Sequence, residues 1–124
     1  MIRLKECFMK RGKRYTQVYR NDDMALYLVD NEHEWYYEVF KIKVNKPNKY
    51  VDDEYEPYPG DESFGVWAWC CSNKKSLEKV LKKHFPNKRM EDIFKNAEIT
   101  VQYGQISHFF LKGDKLYIQI KNNA

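Results

Sequence analysis

Tyr15-Thr-Gln-Val-Tyr-Arg20, Met24-Ala-Leu-Tyr-Leu-Val29 and Trp35-Tyr-Tyr-Glu-Val-Phe-Lys-Ile-Lys-Val44 are three ring-rich runs separated by short polar breaks. In the first, Tyr15, Gln17 and Tyr19 alternate with Thr16, Val18 and Arg20; in the third, Trp35, Tyr37 and Val39 alternate with Tyr36, Phe40 and Ile42. Period two predicts strands. The middle run is apolar on both faces, Met24, Leu26 and Leu28 on one and Ala25, Tyr27 and Val29 on the other, which predicts a central strand covered on both sides.

The polar breaks complete a meander. Lys10-Arg-Gly-Lys13 predicts a hairpin turn between a strand within Ile2–Met9 and the run from Tyr15, with Gly12 where positive φ is needed. Asn21-Asp-Asp23 and Asp30-Asn-Glu-His-Glu34 supply the next two turns. After residue 63, Phe64-Gly-Val-Trp-Ala-Trp-Cys-Cys71 reads as a buried extended segment in which Phe64, Trp67 and Trp69 plug the sheet against a helix and Gly65 permits close backbone approach. Asn73 is the expected N-cap of that helix, whose Leu77, Val80, Leu81, His84 and Phe85 form one apolar stripe ended by Pro86. His84 is read as a packing or capping residue.

A short helix is expected over Arg89–Asn96, then strands around Ile99–Tyr103, Ile106–Phe110 and Leu116–Ile120, the last two joined at Lys112-Gly-Asp-Lys115. The expected whole is one α+β domain over residues 1–124: an antiparallel sheet of about six or seven strands with one principal helix packed on one face.

Between the strands and the helix lies Val51-Asp-Asp-Glu-Tyr-Glu-Pro-Tyr-Pro-Gly-Asp-Glu-Ser63, whose prolines and glycine reject both helix and central strand. Its six acids and lack of bases stand apart from the remainder: the chain has a formal net charge of +4, and its 22 bases against the other 12 acids would give +10. A basic body therefore carries an acidic flap, suited to meeting a basic partner, or simply a solvated loop. Asp52, Asp53, Glu54 and Glu56, with Tyr55 and Tyr58 between them for contact area, are the candidate partner-binding residues, and the segment is expected to serve no folding purpose.

A second candidate surface is one face of the third run, where Trp35 and Tyr37 are followed by Lys41 and Lys43, widened by Arg14, Arg20, Lys46 and Lys49. Rings followed by cations suit the stacking and phosphate neutralisation of single-stranded nucleic acid. The competing reading, favoured by rings on both faces of the meander, places Trp35 and Tyr37 in a hydrophobic layer.

Signals of catalysis are weak. No phosphate-binding glycine loop, nucleophile elbow or H-E-x-x-H motif is present. Asp30, Glu38 and Lys41 do not converge as a nuclease site requires, because Glu38 and Lys41 lie on opposite faces of one strand. His108 beside Tyr103 and Lys115 could be assembled into acid–base chemistry, a combination chance supplies in many domains. Cys7, Cys70 and Cys71 read as buried free thiols, since neither cysteines nor histidines stand at metal-ligand spacings. No metal or cofactor is expected. The apolar runs are too short to span a membrane and the N-terminus lacks a signal-peptide core, so a cytoplasmic location without membrane contact is expected.

Tyr37-Glu-Val-Phe-Lys-Ile42, the acidic loop, and Tyr58-Pro-Gly-Asp-Glu-Ser-Phe-Gly-Val-Trp-Ala-Trp-Cys70 leading into the helix resemble small, largely uncharacterised proteins of bacteriophages and mobile elements. The resemblance covers roughly half the chain, from about Tyr27 to Phe85, and this chain continues past the helix where the usual pattern ends. It implies a genomic setting and a fold, and carries no residue roles. The resulting expectation is a small non-enzymatic protein that binds a host or phage macromolecule, with a protein as the expected partner, a class that includes counter-defence. A nucleic-acid-binding module and an unrecognised hydrolase are the alternatives.

Overall fold

The structure, a computed structural model, describes residues 1–88, Ile93 and the backbone of strands Glu98–Val101, Gln105–Lys112 and Lys115–Lys121. Five strands form an antiparallel sheet in sequence order: β1 (Cys7–Lys10), β2 (Lys13–Arg20), β3 (Met24–Asp30), β4 (Trp35–Lys41) and β5 (Ala68–Cys71). The β1–β2 turn places Arg11 at φ 52° and Gly12 at φ 76°, the pair of left-handed residues a two-residue hairpin requires. The next two turns share one device. Asn21 Oδ1 accepts from the amides of Asp23 and Met24, and Asn31 Oδ1 from those of His33 and Glu34, all within 2.9 Å.

Every residue of β3 is buried, as its two apolar faces require. On one face Met24, Leu26 and Leu28 join Val18, Tyr37 and Val39 beneath helix α1 (Lys74–His84), which contributes Leu77 and Leu81. Asn73 caps α1: its side chain accepts from the Ser76 amide at 2.8 Å, while Ser76 Oγ accepts from the Asn73 amide at 3.2 Å. The Phe85 amide closes the last turn on the Leu81 carbonyl at 2.8 Å, and Pro86 follows. Beyond it, Ile93 is helical and buried in the same core, and the rest of the expected Arg89–Asn96 helix lies outside the described residues. On the other face Ala25, Tyr27 and Val29 join Tyr15, Phe40 and Ala68 under the segment carrying Tyr58, Phe64 and Trp67.

The architecture is α+β, with a sheet smaller than expected. Five strands pair in it, and the last three, β6 (Glu98–Val101), β7 (Gln105–Lys112) and β8 (Lys115–Lys121), form a second sheet in the order β6-β8-β7. β7 and β8 make the expected antiparallel hairpin out to Lys112↔Lys115, but β6 joins β8 in parallel, with Ile99 opposite Leu116. A period-two pattern identifies strands but does not choose their partners, hence the miscount. The side chains of these strands, His108 and Tyr117 among them, and the whole of Tyr103 lie outside the described residues.

The extended segment expected over Phe64–Cys71 is also shorter. A single 3₁₀ turn, Asp61–Ser63, precedes it, and the Ser63 carbonyl accepts from the amides of Val66 and Trp67. Gly65 serves this turn through its φ of +89°, not through close approach, since a Cβ there would meet nothing within 4 Å.

Because Leu81 lies fully inside the helix–sheet core, Leu81→Ala should cost about 2–5 kcal/mol in urea unfolding. A loss under about 0.5 kcal/mol would put α1 on the surface.

Candidate functional site

The acidic segment is bound to the sheet by an irregularity in β2. A β-bulge between Gln17 and Tyr19 turns both Val18 and Tyr19 toward the α1 side, which shifts Arg20 to the opposite face. There its guanidinium meets the carboxylate of Glu56 in two parallel bonds, Nη1–Oε1 at 2.7 Å and Nη2–Oε2 at 3.0 Å. The Leu4 amide adds a third bond to Glu56 Oε1 at 3.0 Å. Arg20 first, then the Leu4 amide, hold the Glu56 carboxyl below the ordinary carboxylate range despite its burial. Backbone bonds flank the pair: Ile2 donates to the Glu54 carbonyl, Glu56 donates to the Ile2 carbonyl, and Tyr55 and Asn45 exchange two bonds.

Tyr58 anchors the segment a second time. Its ring stands edge-on to Phe8, Tyr15, Tyr27 and Phe40, with centroids 5.0–5.4 Å away. Its hydroxyl donates to Glu38 Oε1 at 2.9 Å. Burial pushes the Tyr58 phenol far above its usual range, and the neighbouring Glu38 carboxylate adds to this. Glu38, itself buried, is pushed above the usual carboxylate range by burial, with Tyr58, Lys10 and Lys13 partly offsetting it. Tyr27 is raised to about 12 by the same burial, and its hydroxyl donates to the Lys5 carbonyl at 2.6 Å.

The six expected partner-binding residues therefore divide. Asp52, Asp53 and Glu54 are exposed, and Asp53 holds the N-terminal ammonium at 2.9 Å. Tyr55 is half-buried between Ile2 and Asn45. Glu56 and Tyr58 belong to the fold. The segment is a strap, so the expectation that it serves no folding purpose is corrected.

The ring-and-cation face of β4 is likewise not one exposed surface. Tyr37 is 1% exposed beneath α1, burial alone raising its phenol to about 12, and half-buried Trp35 stands edge-on to it at 5.6 Å. Lys41 and Lys43 are exposed, but the Lys43 ammonium lies over Trp67, a ring of the opposite face. Arg14 and Arg20 do not extend the patch, since each forms a two-bond ion pair, with Asp30 and Glu56 respectively. His84 is a packing residue, its ring stacked on Trp69 at 3.9 Å and its pKa lowered first by burial and then by Lys83 and Lys41. Cys71 is buried as expected, which raises its thiol to about 12, but Cys7 and Cys70 are exposed, so the expectation of buried thiols is corrected for those two. Among the described residues no three His, Cys, Asp or Glu side chains group as metal ligands, and no helix is long and apolar enough to cross a membrane.

One feature was missed from sequence. The strap and the N-terminal segment enclose an open groove of about 350 Å³ lined by Ile2, Leu4, Phe8, Met9, Val51 and Tyr55, with Arg3, Lys5, Glu56 and Tyr58 also bordering it. Ile2 and Met9 are 52% and 67% exposed. The loose alternation of Ile2–Met9 was the available signal, but only the strap's docking turns it into a groove. Searches of protein-family models, curated proteins and solved structures return no match to this chain.

Glu56→Gln should lower stability at neutral pH by roughly 2–3 kcal/mol, below the 3–5 of a fully buried pair because Arg20 keeps some solvent. Asp52→Asn should leave the urea midpoint unchanged. A depressed carboxyl pKa stabilises above the ordinary value of 4.5 and loses that contribution as pH falls through the folded value, so the Glu56→Gln deficit should narrow in acid. Glu38 has the opposite sign: its ionised form opposes folding as pH rises above 4.5, so Glu38→Gln, which can still accept from Tyr58, should match or exceed the wild type at pH 7. Urea titrations at several pH values check both signs.

Proposed function

We propose that this chain is a small non-enzymatic binding protein of the phage or mobile-element kind, working in the cytoplasm by holding a segment of a host or phage protein in the groove beside Asp52–Glu54. Counteracting host defence falls within this class. The observation that carries the reading is an open apolar groove lined by Val51 and Tyr55, the two ends of a stretch of three exposed acids in a segment that the fold holds in place. Exposed Ile2 and Met9 offer apolar area to an incoming segment, and a site held in place needs little ordering when it binds. Asp52, Asp53 and Glu54 favour basic residues in the incoming segment, while Arg3 and Lys5, which border the groove, add cations that an acidic residue of the same segment can meet. Tyr55, which lines the groove next to these acids in sequence, supplies ring contact.

The test is capture from nuclease-treated bacterial lysate on immobilised wild-type protein, beside Met9→Asp and the triple variant Asp52→Asn, Asp53→Asn, Glu54→Gln. The wild type should retain a protein that Met9→Asp loses, and the purified pair should associate more slowly and with less salt dependence when the three acids are neutralised. Capture that is equal on Met9→Asp, or that disappears with nuclease, contradicts the reading.

A further inference from the structure

Helix α1 buries Leu77 and Leu81 against the sheet, with Val80 and His84 half-buried beside them. At about 100° per residue, Lys75, Lys79, Lys82 and Lys83 all fall on the side opposite that stripe, within roughly a third of the helix circumference. All four are exposed, as is Lys74. Glu78 is the one acid among these 11 residues, and its contact with Lys82, 3.3 Å between two exposed side chains, leaves the surface strongly basic. Five lysines and one glutamate make this single helix as positive as the whole chain, whose formal net charge is +4.

We propose that the outward face of α1 is a docking surface for the phosphate backbone of double-stranded nucleic acid, separate from the groove and independent of its function. Charge complementarity is the first argument: a helix about 16 Å long with a stripe of lysines matches a duplex bearing one negative charge per roughly 1.7 Å of its axis. Placement is the second. The acids of residues 52–62 belong to the strap on the other face of the sheet, so an approaching polyanion meets the lysines without those carboxylates beside them. The third is that Lys74 and Lys75 occupy the first turn of α1, which holds no acid, although the helix dipole disfavours cations there. Helix stability alone would place acids at these positions.

The same surroundings set the mode of binding. Trp69, beside the last turn of the helix, is stacked on His84, so this face contacts phosphates and does not stack on bases. Beyond the helix C-terminus, Asp22 and Asp23 share a cleft with Lys41 and Lys88, which weakens the field there and centres the contact on Lys75, Lys79 and Lys83. Binding is therefore independent of sequence, steeply salt-dependent and stronger for duplex than for single strand.

The test is fluorescence anisotropy of a labelled duplex of about 20 base pairs, and of one of its strands, titrated with the full chain from about 50 to 200 mM salt. The wild type should bind the duplex with micromolar affinity at the low end and prefer it to the strand. The variant Lys75→Gln, Lys79→Gln, Lys83→Gln keeps good helix formers and should keep its melting temperature. It should lose at least about tenfold in affinity, and its log–log salt slope should fall by about 0.9 per lysine removed. Lys46→Gln with Lys49→Gln, an exposed pair outside the helix, should change little. Absence of duplex binding by the wild type at about 50 mM salt overturns the proposal. So does an equal loss in the Lys46/Lys49 variant, or tighter binding of polyglutamate than of duplex.

Discussion

A strand apolar on both faces must be covered twice, and β3 imposes that requirement on everything around it. One cover is conventional, an amphipathic helix whose aliphatic stripe meets Met24, Leu26 and Leu28. The other comes from a segment with six carboxylates and two prolines, which has little apolar surface of its own. Tyr58 supplies much of what is needed, since a buried aromatic ring contributes roughly 1.5–3 kcal/mol by area alone and edge-on ring pairs add to it. The Arg20–Glu56 pair contributes less net energy, because desolvation offsets much of its attraction, but its two-bond geometry fixes where the strap lies.

The elements dictated by local chemistry were legible in the sequence. Asn21 and Asn31 announced their turns, Gly12 its hairpin, Asn73 the helix start, and Met24–Val29 the centre of the sheet. Features that depend on distant partners were not. The bulge beside Val18 leaves no mark in a run that alternates acceptably without it, yet it decides that Arg20 faces the strap. Glu56 looked like one acid among six until an arginine 36 residues away was seen to meet it. The same limit separates Tyr37, buried under the helix, from the exposed lysines that follow it in sequence.

Charge is organised by the same two covers. The acidic strap and the lysine-rich helix lie on opposite faces of the sheet, so neither neutralises the other. The net value of +4 conceals a molecule with two surfaces of opposite sign, one edged by a groove and the other a convex stripe. A protein could occupy the first while a polyanion occupies the second, and the two proposals address different partners for that reason.

The groove exists only because the strap is part of the fold. Native-state hydrogen exchange tests this at the Tyr55 and Glu56 amides, which donate to the carbonyls of Asn45 and Ile2. They should exchange orders of magnitude more slowly than open-loop amides and lose protection together with the β3 amides as urea is raised below the unfolding transition. Exchange of Tyr55 and Glu56 at unprotected rates while β3 stays protected would contradict the account.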